Sequence, residues 1–425
     1  MSSRTGSARL AGLVGAGAIL GSLLATGPAL APLPAPPAAA GTQPAQCEDG
    51  AGLVAEPTWN VEALDLAGAH RLATGAGVRV AVVDSGVAAD GPHLEGAVLP
   101  GVDVVGVDAE VTDGRADAYD HGTAVATLLA GRATEGSGLI GVAPDALVIP
   151  IRVYYAVGDD AERRGVELTE ARLAAGIRAA IDADADVVVV AVSSYRDDPA
   201  VRAAVEAAEA AGALVVASMG NVTRDAAEVD QPRYPAAYPG VLAVAGIGEG
   251  WQDGGGHVGE HADLAGPGIA VLAGLPNGSD CVVGEAGSST SWATAQVAGA
   301  AALLVERFPD EGPEMLAYRL TATAARPDPD GWSEAPGWGL VQPRAALELV
   351  DDGSWRGVDS PRVVRPSIDP VAVEPVKVIP VTDPWVDTRR TVAWWAVAGA
   401  AALLAVVITG SRRSGRVVDR PGRRS

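Results

Sequence analysis

Residues 78–83 read VRVAVV and run directly into Asp84 and the turn string SGV. Five of those six residues are valine or alanine, so the run is apolar on both faces and too short for a helix; it reads as a strand buried on both sides. Four more runs share this texture: ALVIPIRV (146–153), DVVVVAV (186–192), ALVVAS (213–218) and VLAVAGI (241–247). Helical patterns lie between them at residues 123–131, 169–183 and 199–211. Doubly apolar strands alternating with helices predict an α/β fold with a mainly parallel sheet covered on both faces. In such sheets the sites lie beyond the carboxyl ends of the strands.

Four polar residues stand at such places. Asp84 ends the first strand. His121 opens DHGTAVATLLAG (120–131), where a small-residue helix begins, and Asn221 closes VVASMGN (215–221). Ser291 lies in GSSTSWATAQVAGAAALL (287–304), where small hydroxyl residues run into an alanine-rich helix with Ala293, Val297, Ala301 and Leu304 near helical spacing. Each has an ordinary structural reading: a carboxylate or asparagine shaping a turn, a structural histidine, a serine capping a helix. A helix start also stabilises negative charge, which suits a nucleophile.

Taken together, in the order Asp84, His121, Asn221, Ser291, they resemble the subtilase family. The strings AVVDSGV, DHGTAVA, GVAPDALVIPIRV, VVASMGN, YPAAYPGVLAV and STSWATAQVAGAAALL are similar to family segments and occur in the family order, over roughly residues 76–350. The resemblance implies a subtilisin-like three-layer fold and a serine endopeptidase. Ser291 would be the nucleophile, His121 the general base, and Asp84 the group orienting the imidazole. The Asn221 amide and the Ser291 N–H would bind the oxyanion. Ser193, Ser194 and Tyr195 would pair with the peptide and border the pocket for the residue before the scissile bond, with Ser218 in the neighbouring wall. Family members commonly have glycine where Tyr195 stands, so this side chain either narrows the pocket or turns to solvent. Two residues near the nucleophile depart from the pattern, Ser289 replacing a glycine and Ala295 a proline.

The rest of the chain supplies context. A net charge of −22 lacks the clustered cations that nucleic-acid binding requires. Arg4 and Arg9, an apolar run to about Leu24 and a small, proline-rich stretch have the layout of a signal peptide, residues 1–40, with an uncleaved anchor as the rival reading. Residues 41–75 read as an N-terminal extension, 76–350 as the peptidase domain and 351–390 as a Pro-rich linker. Residues 391–410 carry no charge and are long enough to span a bilayer. The tail, 411–425, has six arginines against Asp419, which places it in the cytoplasm and the remainder outside. Cys47 and Cys281 are the only cysteines, and an oxidising compartment favours a disulfide between them over two free thiols. In the chain-entropy picture it would add about 4–5 kcal/mol. No spacing marks a metal site, and no cofactor is expected.

This architecture resembles the mycosins, membrane-anchored subtilases of actinobacterial type VII secretion systems. The resemblance implies polypeptide substrates among exported proteins and association with the secretion membrane complex. The alternative it leaves open is a proteolytically weak subunit that stabilises that complex.

Overall fold

The computed structural model describes residues 52–107, 112–222, 231–284, 290–365 and 385–414. The expected leader, Cys47, Ser289 and the tail beyond 414 lie outside the described residues.

The five apolar runs form the sheet. In chain order the strands are β1 (Arg79–Asp84), β2 (Val102–Asp103), β3 (Leu147–Arg152), β4 (Val187–Val190), β5 (Leu214–Ser218), β6 (Val241–Gly248), β7 (Gln252–Asp253), β8 (Leu264–Pro267), β9 (Val271–Gly274) and β10 (Asp280–Val283). The sheet order is β2-β3-β1-β4-β5-β6-β7, with β8 also on β6, and every pairing is parallel except β6 with β7. β9 and β10 make a separate antiparallel pair.

The helices are α1 (Asn60–Ala63), α2 (Leu66–Ala69), α3 (His121–Ala130), α4 (Asp159–Arg164), α5 (Glu170–Asp182), α6 (Pro199–Ala210), α7 (Thr290–Arg307), α8 (Pro313–Ala322), α9 (Pro343–Glu348) and α10 (Val386–Ser414). The period of two in the strands sorts the core. Val80, Val82, Val187, Val189, Leu214 and Val216 pack with α3 and α7 on one face. Ala81, Val83, Val188, Val190, Val215 and Ala217 pack with α5 and α6 on the other. The fold is the expected subtilisin-like three-layer α/β arrangement. Thr169 caps α5 by accepting from the Arg172 N–H, and Asp198 caps α6 from Ala200 and Val201.

α7 departs from the one-sided pattern that its sequence suggests. Every residue from Thr290 to Leu304 except Trp292 is buried, so this helix runs through the core with no solvent face. Its alanines and Gly299 permit that: a Cβ on Gly299 would lie 2.7 Å from the Val142 side chain.

The N-terminal arm is fastened behind α7. Trp59 Nε1 donates to the Ile269 carbonyl at 2.8 Å, and the Leu272 N–H donates to Thr58 Oγ1 at 2.9 Å. Asn60 Nδ2 donates to Gln296 Oε1 at 2.8 Å, both residues being buried, and Gln296 Nε2 donates to the Pro267 carbonyl. Further up the arm, the Val54 N–H donates to Asp280, whose buried carboxylate also accepts from Ser137 Oγ and lies 2.8 Å from His93 Nε2.

Among the described residues, those up to 365 form one compact unit and 385–414 belong to another. Residues 351–365 belong to the first, with Tyr318 Oη and Ser360 Oγ both donating to the Asp351 carboxylate. In the second unit, Asp387–Val407 is a 21-residue helical stretch long and apolar enough to cross a membrane.

One half-buried carboxylate is held against its preference. Asp263, beside β8, accepts from the Ala243 N–H at 2.8 Å, but burial pushes its pKa up to about 6. A folded-state value raised above the unfolded one means that ionisation opposes folding increasingly as pH rises through about 6. Asp263→Asn keeps the acceptor and removes the charge. It is expected to raise the melting temperature by a few degrees at about pH 8, with the gain shrinking toward about pH 4; thermal melts of both proteins across that range check it.

Candidate active site

Asp84 terminates β1 and is wholly buried. Its Oδ1 accepts from the Ser85 N–H at 2.7 Å and the Tyr154 hydroxyl at 3.0 Å, and lies 2.8 Å from His121 Nδ1. The imidazole reaches it because α3 begins almost against the end of β1. Gly122 makes this approach possible, since a Cβ there would sit 2.1 Å from the Gly86 carbonyl oxygen.

The start of α3 is held by a residue that motif reading passed over. Asp120, in the N-cap position, has φ of 68° and no side-chain cap bond. Asp117 does the capping instead, accepting from the Thr123 N–H and hydroxyl at 2.8 and 2.7 Å and from Ser85 Oγ at 2.8 Å. Ser85 Oγ in turn accepts from the Gly122 N–H. One carboxylate thereby ties the helix carrying His121 to the strand carrying Asp84. Tyr154 was likewise missed. Burial and then the Asp84 charge push its phenol well above the usual tyrosine value, so it remains a donor. The only sequence signal for either residue was a polar side chain near a strand or helix end.

Burial disfavours a charged His121. The Asp84 charge, the bond to Asp84 and the more distant Asp117 outweigh it, and the pKa is raised above 6.5. Trp292 packs on the imidazole, ring centroids 4.9 Å apart. Both line a cavity of about 410 Å³ with Tyr119, Leu275 and Cys281. Cys281, on β10, is disulfide-bonded.

Ser291 is in the first turn of α7. Its Oγ donates to the Ala191 carbonyl, just beyond β4, at 2.8 Å. A hydroxyl has one proton, so in this rotamer it is not given to His121; rotation about Cα–Cβ redirects it. The neighbouring Thr290 anchors the helix start. Its N–H and hydroxyl donate to Asn221 Oδ1 at 3.1 and 3.0 Å, and it shares a 2.8 Å bond with Ser218 Oγ. Anchoring Oδ1 in this way turns the Nδ2 end of Asn221 away from Thr290. Ala295, where the family pattern has proline, is fully buried, and Thr294 Oγ1 donates to the Thr290 carbonyl to complete the first turn.

The expected substrate-pairing residues are differently engaged. Ser194 exchanges both backbone bonds with Tyr234 at 2.8 Å, and its hydroxyl donates to Glu170. Ser193 accepts from Arg233 through both its hydroxyl and its carbonyl. Tyr195 is 39% exposed yet lies over the Arg233 guanidinium, so it is neither simply in the pocket nor simply in solvent. Ser218, expected in the pocket wall, is buried and supports Thr290 and the Gly220 N–H. Among the described residues, no three His, Cys, Asp or Glu side chains converge as a metal-binding set.

Proton affinity at His121 is therefore expected to depend chiefly on Asp84. NMR of labelled histidine in the full chain should show His121 titrating above 6.5. Asp84→Asn should lower that value, because burial then acts with far less opposition.

Comparison with known proteins follows the same residues. The family model described as "Subtilase family" matches residues 75–339. Mycosin-1 of Mycobacterium tuberculosis is 31% identical over 333 residues, covering 69% of this chain and 73% of that protein. Mycosin-4 of the same organism is 33% identical, covering 84% and 82%. The crystal structure of MycP1 from the ESX-1 type VII secretion system superposes with a TM-score of 0.61 at 28% identity, covering 74% of this chain and 91% of that one. The chain belongs to the subtilase family and is a subtilisin-like serine endopeptidase.

Proposed function

We propose that the enzyme hydrolyses peptide bonds of exported proteins with Asp84, His121 and Ser291 as its triad, at the outer face of a membrane and in association with a type VII secretion complex. The observation that carries the catalytic reading is the 2.8 Å Asp84–His121 contact, set beside a serine in the first turn of a buried helix.

Neutral His121 takes the Ser291 proton as Oγ attacks the carbonyl carbon. The imidazolium that forms faces Asp84, whose charge stabilises it. The developing oxyanion accepts from the Ser291 N–H and Asn221 Nδ2. Collapse of the tetrahedral species expels the amine, which receives its proton from His121. Water then repeats the sequence on the acyl-enzyme.

The mycosin relatives and the solved MycP1 structure support the secretion assignment. The apolar stretch 387–407, followed by an arginine-rich tail, supports anchoring with the tail in the cytoplasm. We assign the partner of Cys281 as Cys47, the only other cysteine. One observation favours the alternative, a proteolytically weak structural subunit: the Ser291 proton is given to Ala191.

Fluorophosphonate labelling separates the two readings. The proteolytic one expects covalent labelling of wild type and none of Ser291→Ala; an unlabelled wild type sinks it. Asn221→Ala should lower turnover by about 10²–10³. Because His121 must be neutral to act, the acid limb of kcat/KM should have its midpoint above 6.5, measured by a pH–rate profile.

A further inference from the structure

Three donors converge on one atom. Asp84 Oδ1 accepts from the Ser85 N–H at 2.7 Å and from the Tyr154 hydroxyl at 3.0 Å, and it faces His121 Nδ1 at 2.8 Å. The Ser85 bond is local, made by the backbone of the next residue. The Tyr154 bond is not. Arg152 is the β3 residue opposite Asp84, so Tyr154 stands just past the end of β3 and reaches back to β1 across the sheet. Tyr154 is only 2% exposed, and its ring meets that of Tyr119 edge-on with centroids 5.6 Å apart. A buried phenol needs a partner for its hydroxyl. Here that partner is the carboxylate oxygen that also faces the imidazole.

Other charged groups surround the pair. Asp117, ahead of α3, favours the protonated form of both Tyr154 and His121, while its own bonds go to Ser85 and Thr123. Tyr119, on the same segment, has its phenol raised by burial and then by the Asp84 charge. Asp120 adjoins His121 at the helix start and lines the same cavity. Arg152 is committed to the Asp103 carboxylate and the Ala116 carbonyl. From α7 the imidazole meets uncharged Trp292, and from β10 the cavity receives disulfide-bonded Cys281.

We propose that Tyr154 is a positioning residue that acts on His121 through Asp84: its hydroxyl shares Oδ1 with the imidazole and weakens the carboxylate's hold on the imidazolium. The inference rests on the reading of Asp84, His121 and Ser291 as the triad. Its physical basis is competition for one oxygen. A hydrogen bond donated to a carboxylate takes up part of its charge, so less remains to favour a proton on the histidine. Tyr154 therefore opposes Asp84 and Asp117, both of which raise the proton affinity of His121. A general base must be neutral to act, and this restraint extends its working range toward acid. Ser85 and Tyr154 together also keep Oδ1, rather than the unbonded Oδ2, against Nδ1.

The test is the titration of His121 by NMR in the full chain in detergent, comparing Tyr154→Phe with wild type. Phenylalanine keeps the ring against Tyr119 and removes only the hydroxyl. The His121 midpoint should rise by about 0.5–1 pH unit. The acid limb of kcat/KM should move with it, so that activity well below the midpoint falls about three- to tenfold. A role confined to packing would lower the melting temperature and move neither midpoint. Placing 3-fluorotyrosine at position 154 keeps the shape and strengthens the donor, so the midpoint should fall; this variant carries the comparison if Tyr154→Phe does not fold. An unchanged midpoint in either variant, or a shift of the opposite sign, overturns the proposal. An absence of fluorophosphonate labelling in wild type would instead remove the nucleophile assignment, and the His121 titration reads the Tyr154 coupling without it.

Discussion

The passage of α7 through the core, without a solvent face, is the constraint on which the rest depends. A helix in that position accepts only small or apolar side chains, and it cannot slide without opening voids against the sheet and α3. Its first turn is therefore placed by packing along its whole length. Polar bonds then fix its start: Asn221 and Ser218 hold Thr290, while Gln296, less than two turns on, is held by Asn60. Catalytic groups gain most from such rigid support, because small displacements of a nucleophile are costly. Proline at position 295 is one way to stiffen that turn; here Thr290 and Thr294 perform the task through hydrogen bonds.

The second requirement is electrostatic. Asp84 is buried, and water does not compensate its charge; Ser85, Tyr154 and His121 gather on a single oxygen, Oδ1. Its other oxygen has no hydrogen-bond partner among the described residues. A buried carboxylate in direct contact with the imidazole favours its charged form. Asp117 adds a second negative centre nearby, although its direct bonds go to Ser85 and to the start of α3. The result is a histidine whose charged form is favoured despite burial.

Much of this was legible in the residues. Valine-rich runs marked five sheet strands within one or two residues of their ends, because apolar runs of six to eight residues are too short for buried helices. The positions of Asp84, His121, Asn221 and Ser291 followed from strand ends, helix starts and family-like strings. Asp117 and Tyr154 were illegible for a physical reason: each acts across the fold, and nothing local distinguishes it from any polar surface residue. The same holds for Arg233, which immediately precedes the YP string yet crosses to Ser193, forty residues earlier. The burial of Ser218 was hidden too, since strand alternation does not show which wall of a groove is backed by a helix.

The arm has a bearing on the integrity of the site. Asn60 is a core residue, and its amide completes the hydrogen bonding of a glutamine on the helix that carries the nucleophile. Val54 meets the carboxylate shared by His93 and Ser137, next to disulfide-bonded Cys281. Removal of a segment so placed would strand buried polar groups behind the active site. The residues from Val54 onward belong to the folded domain as much as the sheet does.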